Sequence, residues 1–165
     1  LKQYIHCCKV LPLPRIPDAP SNNNENYPYK TQLSRGMSPK KMHEVQNLST
    51  LIQSQVSDVS NSILVDIGAG EGYLSRVLSY GFGFDVLGVE CQPKFVEAAH
   101  KKNQGALHEI EIEQKQSKIP AEERSIVLNK LESSLRFTEK LIPIGITDAE
   151  FTELINSHKD VVLLG

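Results

Sequence analysis

Long apolar runs, an excess of charge of one sign and a cysteine framework are all missing from this sequence. No stretch reaches the roughly eighteen consecutive apolar residues of a bilayer-spanning helix, so no membrane partner is expected. The formal charge is −2, which argues against a globally basic nucleic-acid binder. Three cysteines make an odd count, and Cys7 and Cys8 are adjacent. Neighbours in sequence rarely pair, so a reducing compartment is expected. Nothing at Leu1 reads as a signal peptide, which points to the cytoplasm or nucleus. No internal repeat is present. What remains is 165 residues with 39% hydrophobic, enough for one domain with a core and too apolar for wholesale disorder.

The charge that is present is unevenly spread. Residues 1–61 hold seven Lys/Arg against four Asp/Glu, and residues 62–165 hold eleven against sixteen. Residues 1–35 are rich in Pro and Asn and read as an irregular lead-in, with order starting near Gly36. Ser38-Pro39 supplies a capping hydroxyl and a proline at the first helical position. Met42, Val45, Leu48, Leu51, Ile52 and Val56 then recur at helical spacing. Ile63–Ile67 is a short apolar run without polar alternation, as in a strand of a parallel sheet buried on both faces. A glycine-rich turn follows, then a helix over 73–80, a strand over 84–89 and a helix from Pro93 to about Lys102. Residues 104–134 read as a charged, exposed insertion containing a helix from Ala121 to Ser134. A third strand is expected over 140–146, a helix over 148–157 and a fourth strand over 161–164. Such alternation implies an α/β fold with right-handed crossovers.

The chemistry concentrates in Val65-Asp66-Ile67-Gly68-Ala69-Gly70-Glu71-Gly72-Tyr73. Glycines after a first strand let the backbone approach a ligand closely, and the following helix offers free N–H groups. A dinucleotide site wants G-x-G-x-x-G with a small third residue, but the position that should be Gly or Ala is Tyr73. Asp66, two residues before the first glycine, suits a cationic amine better than a pyrophosphate. S-adenosylmethionine carries an amine, a sulfonium and no phosphate, and fits this pattern better than NAD. Glu90 follows Gly68 by 22 residues and ends the second strand, where a carboxylate can accept ribose hydroxyls. Cys91 is a small filler beside that nucleoside.

The helix before the first strand breaks a local rule. Lys40 and Lys41 stand in its first turn, where the dipole disfavours cations. Lys40, His43 and Glu44 share a face at helical spacing, so Lys40 and His43 are candidates to reach the donor's carboxylate or the substrate. A solvated polar face opposite Met42 and Val45 is the alternative.

The phrase Gly36-Met37-Ser38-Pro39-Lys40-Lys41 with His43-Glu44-Val45, followed by Val65 to Ser75, resembles the methyltransferase-like protein 25 family. The resemblance implies a Rossmann-like class I methyltransferase sheet of seven strands that uses S-adenosylmethionine. By motif match, Asp66, Gly68, Gly70 and Gly72 hold the methionine end of the donor and Glu90 the ribose. The family's next block, a Gly-Leu-His-x-Cys-Gly-Asp-like segment after strand four, should start at Gly165. The chain therefore reads as truncated after strand four, and no catalytic residue carries over. The expected acceptor is a macromolecule, RNA or protein. The rival readings are a non-catalytic Rossmann-like binding module and an NAD-dependent oxidoreductase.

Overall fold

The computed structural model describes residues 27–56, 58–139 and 160–164. The third strand expected over 140–146, the helix over 148–157, the cysteines at 7 and 8 and Gly165 lie outside the described residues. Order begins before Gly36: helix α1 spans Lys30–Ser34 and buries Leu33 in the core, with Tyr27 beside it. Helix α2 spans Pro39–Gln55, and the Ser38 hydroxyl accepts from the Lys41 N–H at 3.2 Å. Val45 and Ser49 are its buried residues, and Ile52 and Val56 pack on the core cluster.

Four strands follow among the described residues, β1 (Ser62–Ile67), β2 (Asp85–Glu90), β3 (Leu135–Glu139) and β4 (Asp160–Leu164). They form one parallel sheet in the order β3-β2-β1-β4. The strand Leu135–Glu139 was not expected from the sequence; the expected 140–146 lies outside the described residues. Helix α3 (Tyr73–Arg76) widens into a π turn over Val77–Gly81 and connects β1 to β2. Helix α4 spans Pro93–Gln116, well past the expected end near Lys102. Residues 104–116, expected as an exposed insertion, continue this helix and place Ala106 and Ile110 in the core. Helix α5 (Ala121–Ser134) has no buried residue, although Leu128 and Leu131 pack against the core.

Alternation along the strands divides the apolar side chains between two faces. Leu64, Val86 and Leu135 meet Leu33, Val45, Val77, Leu78 and Ile110 from the helices. Ile63, Val65, Leu87 and Val89 form a second buried cluster with Ile67 and Val161. The chain steps outward from β1 to β2 to β3, then returns to the other side of β1 for β4. In open α/β sheets that reversal leaves a crevice at the carboxyl ends of the strands, and ligands bind there. The glycine turn after β1 lies at that point.

Candidate functional site

Three glycines after β1 take left-handed backbone angles, with φ of +78° at Gly68, +55° at Gly70 and +70° at Gly72. L-residues with a Cβ rarely enter this region, so the turn depends on glycine at each position. The turn is pinned to the neighbouring strand. Gly68 N–H and Ala69 N–H both donate to the Val89 carbonyl, at 2.8 and 3.1 Å, and Gly72 N–H donates to Ala69 O at 2.8 Å. A Cβ built on Gly68 would meet nothing within 4 Å, and one on Gly70 only Gly68 O at 4.0 Å. Open space therefore borders the first two glycines. Gly72 is different: its Cβ would fall 2.4 Å from the ring of Phe137 on β3.

Two carboxylates stand at the strand ends. Asp66 is buried, and the Ser75 hydroxyl donates to its Oδ2 at 2.6 Å. Burial raises its pKa above the ordinary value, against the bond from Ser75 and the charge of Lys41. Glu90 is 8% exposed. Its Oε2 accepts the Gly70 N–H at 3.0 Å, and its Oε1 accepts the Gln92 N–H at 2.9 Å and the Cys91 thiol at 3.5 Å. Burial pushes this carboxyl up, but the N–H donors of Gln92 and Gly70 and the thiol outweigh it, so it sits below the ordinary range. A carboxylate offers about four acceptor positions, so Oε2 keeps capacity for a ligand hydroxyl.

The structure thus brings together Asp66, Gly68, Gly70, Gly72, Glu90 and Cys91 around one turn. Cys91 is an exposed free thiol. Lys40 is exposed, and His43 is exposed with its Nε2 3.0 Å from Asn47 Nδ2 on its own helix. Neither is joined to Asp66 or the glycine turn by a hydrogen bond or ion pair among the described residues. The cation whose charge reaches Asp66 is Lys41, which also pairs with Glu44 at 2.8 Å.

Sequence reasoning gave Ser75 and Phe137 no role, and of the two lysines in the first turn of α2 it took Lys40 rather than Lys41 as the site candidate. Ser75 follows Asp66 by nine residues and sits in the helix that the glycine turn opens, where a hydroxyl can face back to the strand end. Phe137 carried no signal, because its role depends on strand register: it pairs with Gly88 in the sheet. Among the described residues no group of three or more His, Cys, Asp or Glu could hold a metal ion. No helix there is long and apolar enough to cross a membrane.

Comparison with known proteins supplies the class of chemistry. A family model described as a methyltransferase domain matches residues 40–156, more than two thirds of the chain and including both carboxylates and all three glycines. The chain belongs to this methyltransferase family. Among curated relatives, the human "Probable methyltransferase-like protein 25" is 33% identical over 82 residues, half of this chain and 14% of that protein. The mouse protein of the same name is 37% identical over 67 residues, 41% of this chain and 11% of its own length. The aligned stretch therefore spans about an eighth of these relatives. The methyltransferase domain has the Rossmann-like parallel sheet expected of it, with the glycine turn at the carboxyl end of β1.

Proposed function

We propose that the turn after β1 and the acid after β2 hold S-adenosylmethionine, and that the domain transfers its methyl group to a macromolecular acceptor, RNA or protein. One observation carries this reading: the Gly70 N–H donates to Glu90 Oε2. That bond sets an open-sided glycine backbone beside a nearly buried carboxylate. Gly68 and Gly70 let a ligand lie against the main chain, since no Cβ intrudes and open space borders them. Glu90, held ionised by its N–H donors, is suited to accept a ribose hydroxyl on Oε2. Asp66 lies behind the turn and favours a cationic amine over a phosphate.

When bound, S-adenosylmethionine supplies a methyl group on a sulfonium that a nucleophilic N, O or S can take by in-line displacement. The part played by this chain is positioning: the turn holds one end of the donor and Glu90 the other. A working place inside the cell, in the cytoplasm or nucleus, accords with the exposed thiol of Cys91.

Calorimetry on the full-length protein with S-adenosylhomocysteine tests the donor. A saturable heat that Glu90→Ala weakens at least tenfold is expected, and no heat at near-millimolar ligand in folded protein overturns the reading. Incubation with methyl-labelled donor and cell extract, followed by nuclease or protease digestion, assigns the label to RNA or to protein. Binding without transfer to any extract points to the non-catalytic module instead.

A further inference from the structure

Three segments far apart in sequence converge on Tyr73. Its hydroxyl donates to the Gly36 carbonyl at 2.9 Å and accepts from the Lys102 ammonium, also at 2.9 Å. The same ammonium stands 3.5 Å from the Glu71 carboxylate. The Arg76 guanidinium also lies over the ring, 5.2 Å from the centroid, while Lys102 Nζ is 5.1 Å from it. Arg76 is 2% exposed and donates to the Glu71 carbonyl at 2.8 Å. Glu71 and Tyr73 are the residues on either side of Gly72, so both flanks of the last glycine are held from outside the turn.

Gly36 is part of the same arrangement. Its φ is +79°, and a Cβ there would lie 3.2 Å from the Tyr73 hydroxyl and 3.5 Å from Lys102 Nζ. Glycine at this position permits both the backbone angle and the close approach. Two residues later Ser38 caps α2, whose first turn carries Lys41, the cation that acts on Asp66. Any shift of Gly36 therefore moves the start of α2 relative to the acid at the end of β1.

We infer that Tyr73 is a positioning residue that ties the entry of α2 to the glycine turn, and that Lys102 sets donor affinity by holding the Tyr73 hydroxyl. This rests on the donor site proposed above. The tie acts on the shape of the turn before any methyl transfer, so it affects binding and leaves chemistry at saturating donor unchanged. Tyr73→Phe keeps the ring beside its two cations and removes only the hydroxyl. Lys102→Met keeps the stem and removes the charge, and Lys102→Arg restores a donor.

The test uses the full-length protein. Expected for Tyr73→Phe and Lys102→Met is a five- to tenfold loss of S-adenosylhomocysteine affinity by calorimetry, with KM for the methyl donor raised and kcat within twofold. Lys102→Arg should recover most of the affinity. Hydrogen exchange without ligand should quicken at residues 36–41 and 69–73 in Tyr73→Phe and nowhere else. Unchanged affinity and exchange in Tyr73→Phe, with Glu90→Ala still weakening binding, overturn the inference and leave the donor site standing. A fall in kcat equal to the rise in KM, with no rescue by Lys102→Arg, also overturns it, because it marks a general structural lesion. If the wild-type protein takes up no ligand, the donor site and the affinity effect both fall, and exchange at 36–41 alone decides the tie.

Discussion

Asp66, one residue before the end of β1, and Glu90, the last residue of β2, stand on neighbouring parallel strands, and their carboxyls are displaced in opposite directions from ordinary values. Burial dominates at Asp66, where Ser75 donates to the carboxylate through its hydroxyl and its backbone N–H without offsetting the desolvation. Backbone N–H groups dominate the outcome at Glu90, because the glycine turn and the first turn after β2 both aim donors at it. The two acids therefore report different things. Glu90 is a settled anion built into the turn, and Asp66 is a desolvated one held at a cost to stability.

Asp66→Asn should stabilise the fold while weakening the site. A carboxyl whose folded pKa is raised above 3.8 binds its proton more tightly in the native state, so its contribution falls as pH rises through the folded value. Asparagine keeps an acceptor for Ser75 and removes the buried charge. Urea unfolding should show the variant more stable by about 1 kcal/mol at neutral pH, with the advantage vanishing below pH 3.8. Donor affinity should drop at least tenfold in the same protein. A variant less stable than wild type at neutral pH would show that Asp66 is paired better than its burial implies.

Glu90→Gln should have the opposite pH signature. The folded pKa lies below 4.5, so the stabilisation from this group is present above that pH and is lost as pH falls through the folded value. Replacing the carboxylate puts an NH2 against the N–H of either Gly70 or Gln92, and one bond becomes a repulsion. A loss on the order of 2 kcal/mol at neutral pH is expected, shrinking toward zero in acid. The ratio of wild-type to variant stability across pH 3 to 7 is the measurement. A constant difference over that range would refute the assignment.

Lys41, and not Lys40, should govern the Asp66 carboxyl. Lys41 lowers the Asp66 pKa through its charge, whereas Lys40 is exposed and is not among the groups that act on Asp66. Carbon-detected NMR titration of Asp66 should show its pKa shifted further up in Lys41→Met and unmoved in Lys40→Met. Equal shifts in the two variants would mean that the first turn of α2 acts as a diffuse positive field.

The first half of the site was legible because it is written in consecutive residues. Val65 to Tyr73 carries its turn chemistry in its glycines, and Glu90 is found by counting along one crossover. Partners brought in by tertiary packing left no such trace: Ser75, Lys102 and Gly36 meet the turn through side chains whose neighbours are 9 to 37 positions away. The end of α4 was misplaced because Asn103-Gln104-Gly105 looks like a helix stop. In the structure Asn103 accepts from the Tyr80 hydroxyl, and the helix continues because Ala106 and Ile110 still face the core. β3 left little local signal. No glycine or proline separates Ser134 from Leu135, and Arg136 and Thr138 interrupt its apolar pattern, as befits the outer strand of the described sheet.

Phe137 provides the sharpest packing test, since its ring touches both Gly88 and Gly72. A Cβ on Gly88 would sit 2.4 Å from Phe137 Cδ1, and one on Gly72 2.4 Å from Cζ. The two positions nevertheless should respond differently. Gly88 is strand backbone with no positive φ, so Gly88→Ala is purely a steric insult, expected to cost about 1–3 kcal/mol. Trimming the ring with Phe137→Leu should recover more than half of that cost in the double variant. Gly72 has φ of +70°, and Gly72→Ala adds about 1–2 kcal/mol of backbone strain that no change at Phe137 relieves. Denaturant midpoints for the two double-mutant cycles therefore should show strong coupling at 88 and weak coupling at 72. Equal rescue at both positions would mean that the left-handed turn is not held in the folded protein, and the donor-site reading would lose its backbone.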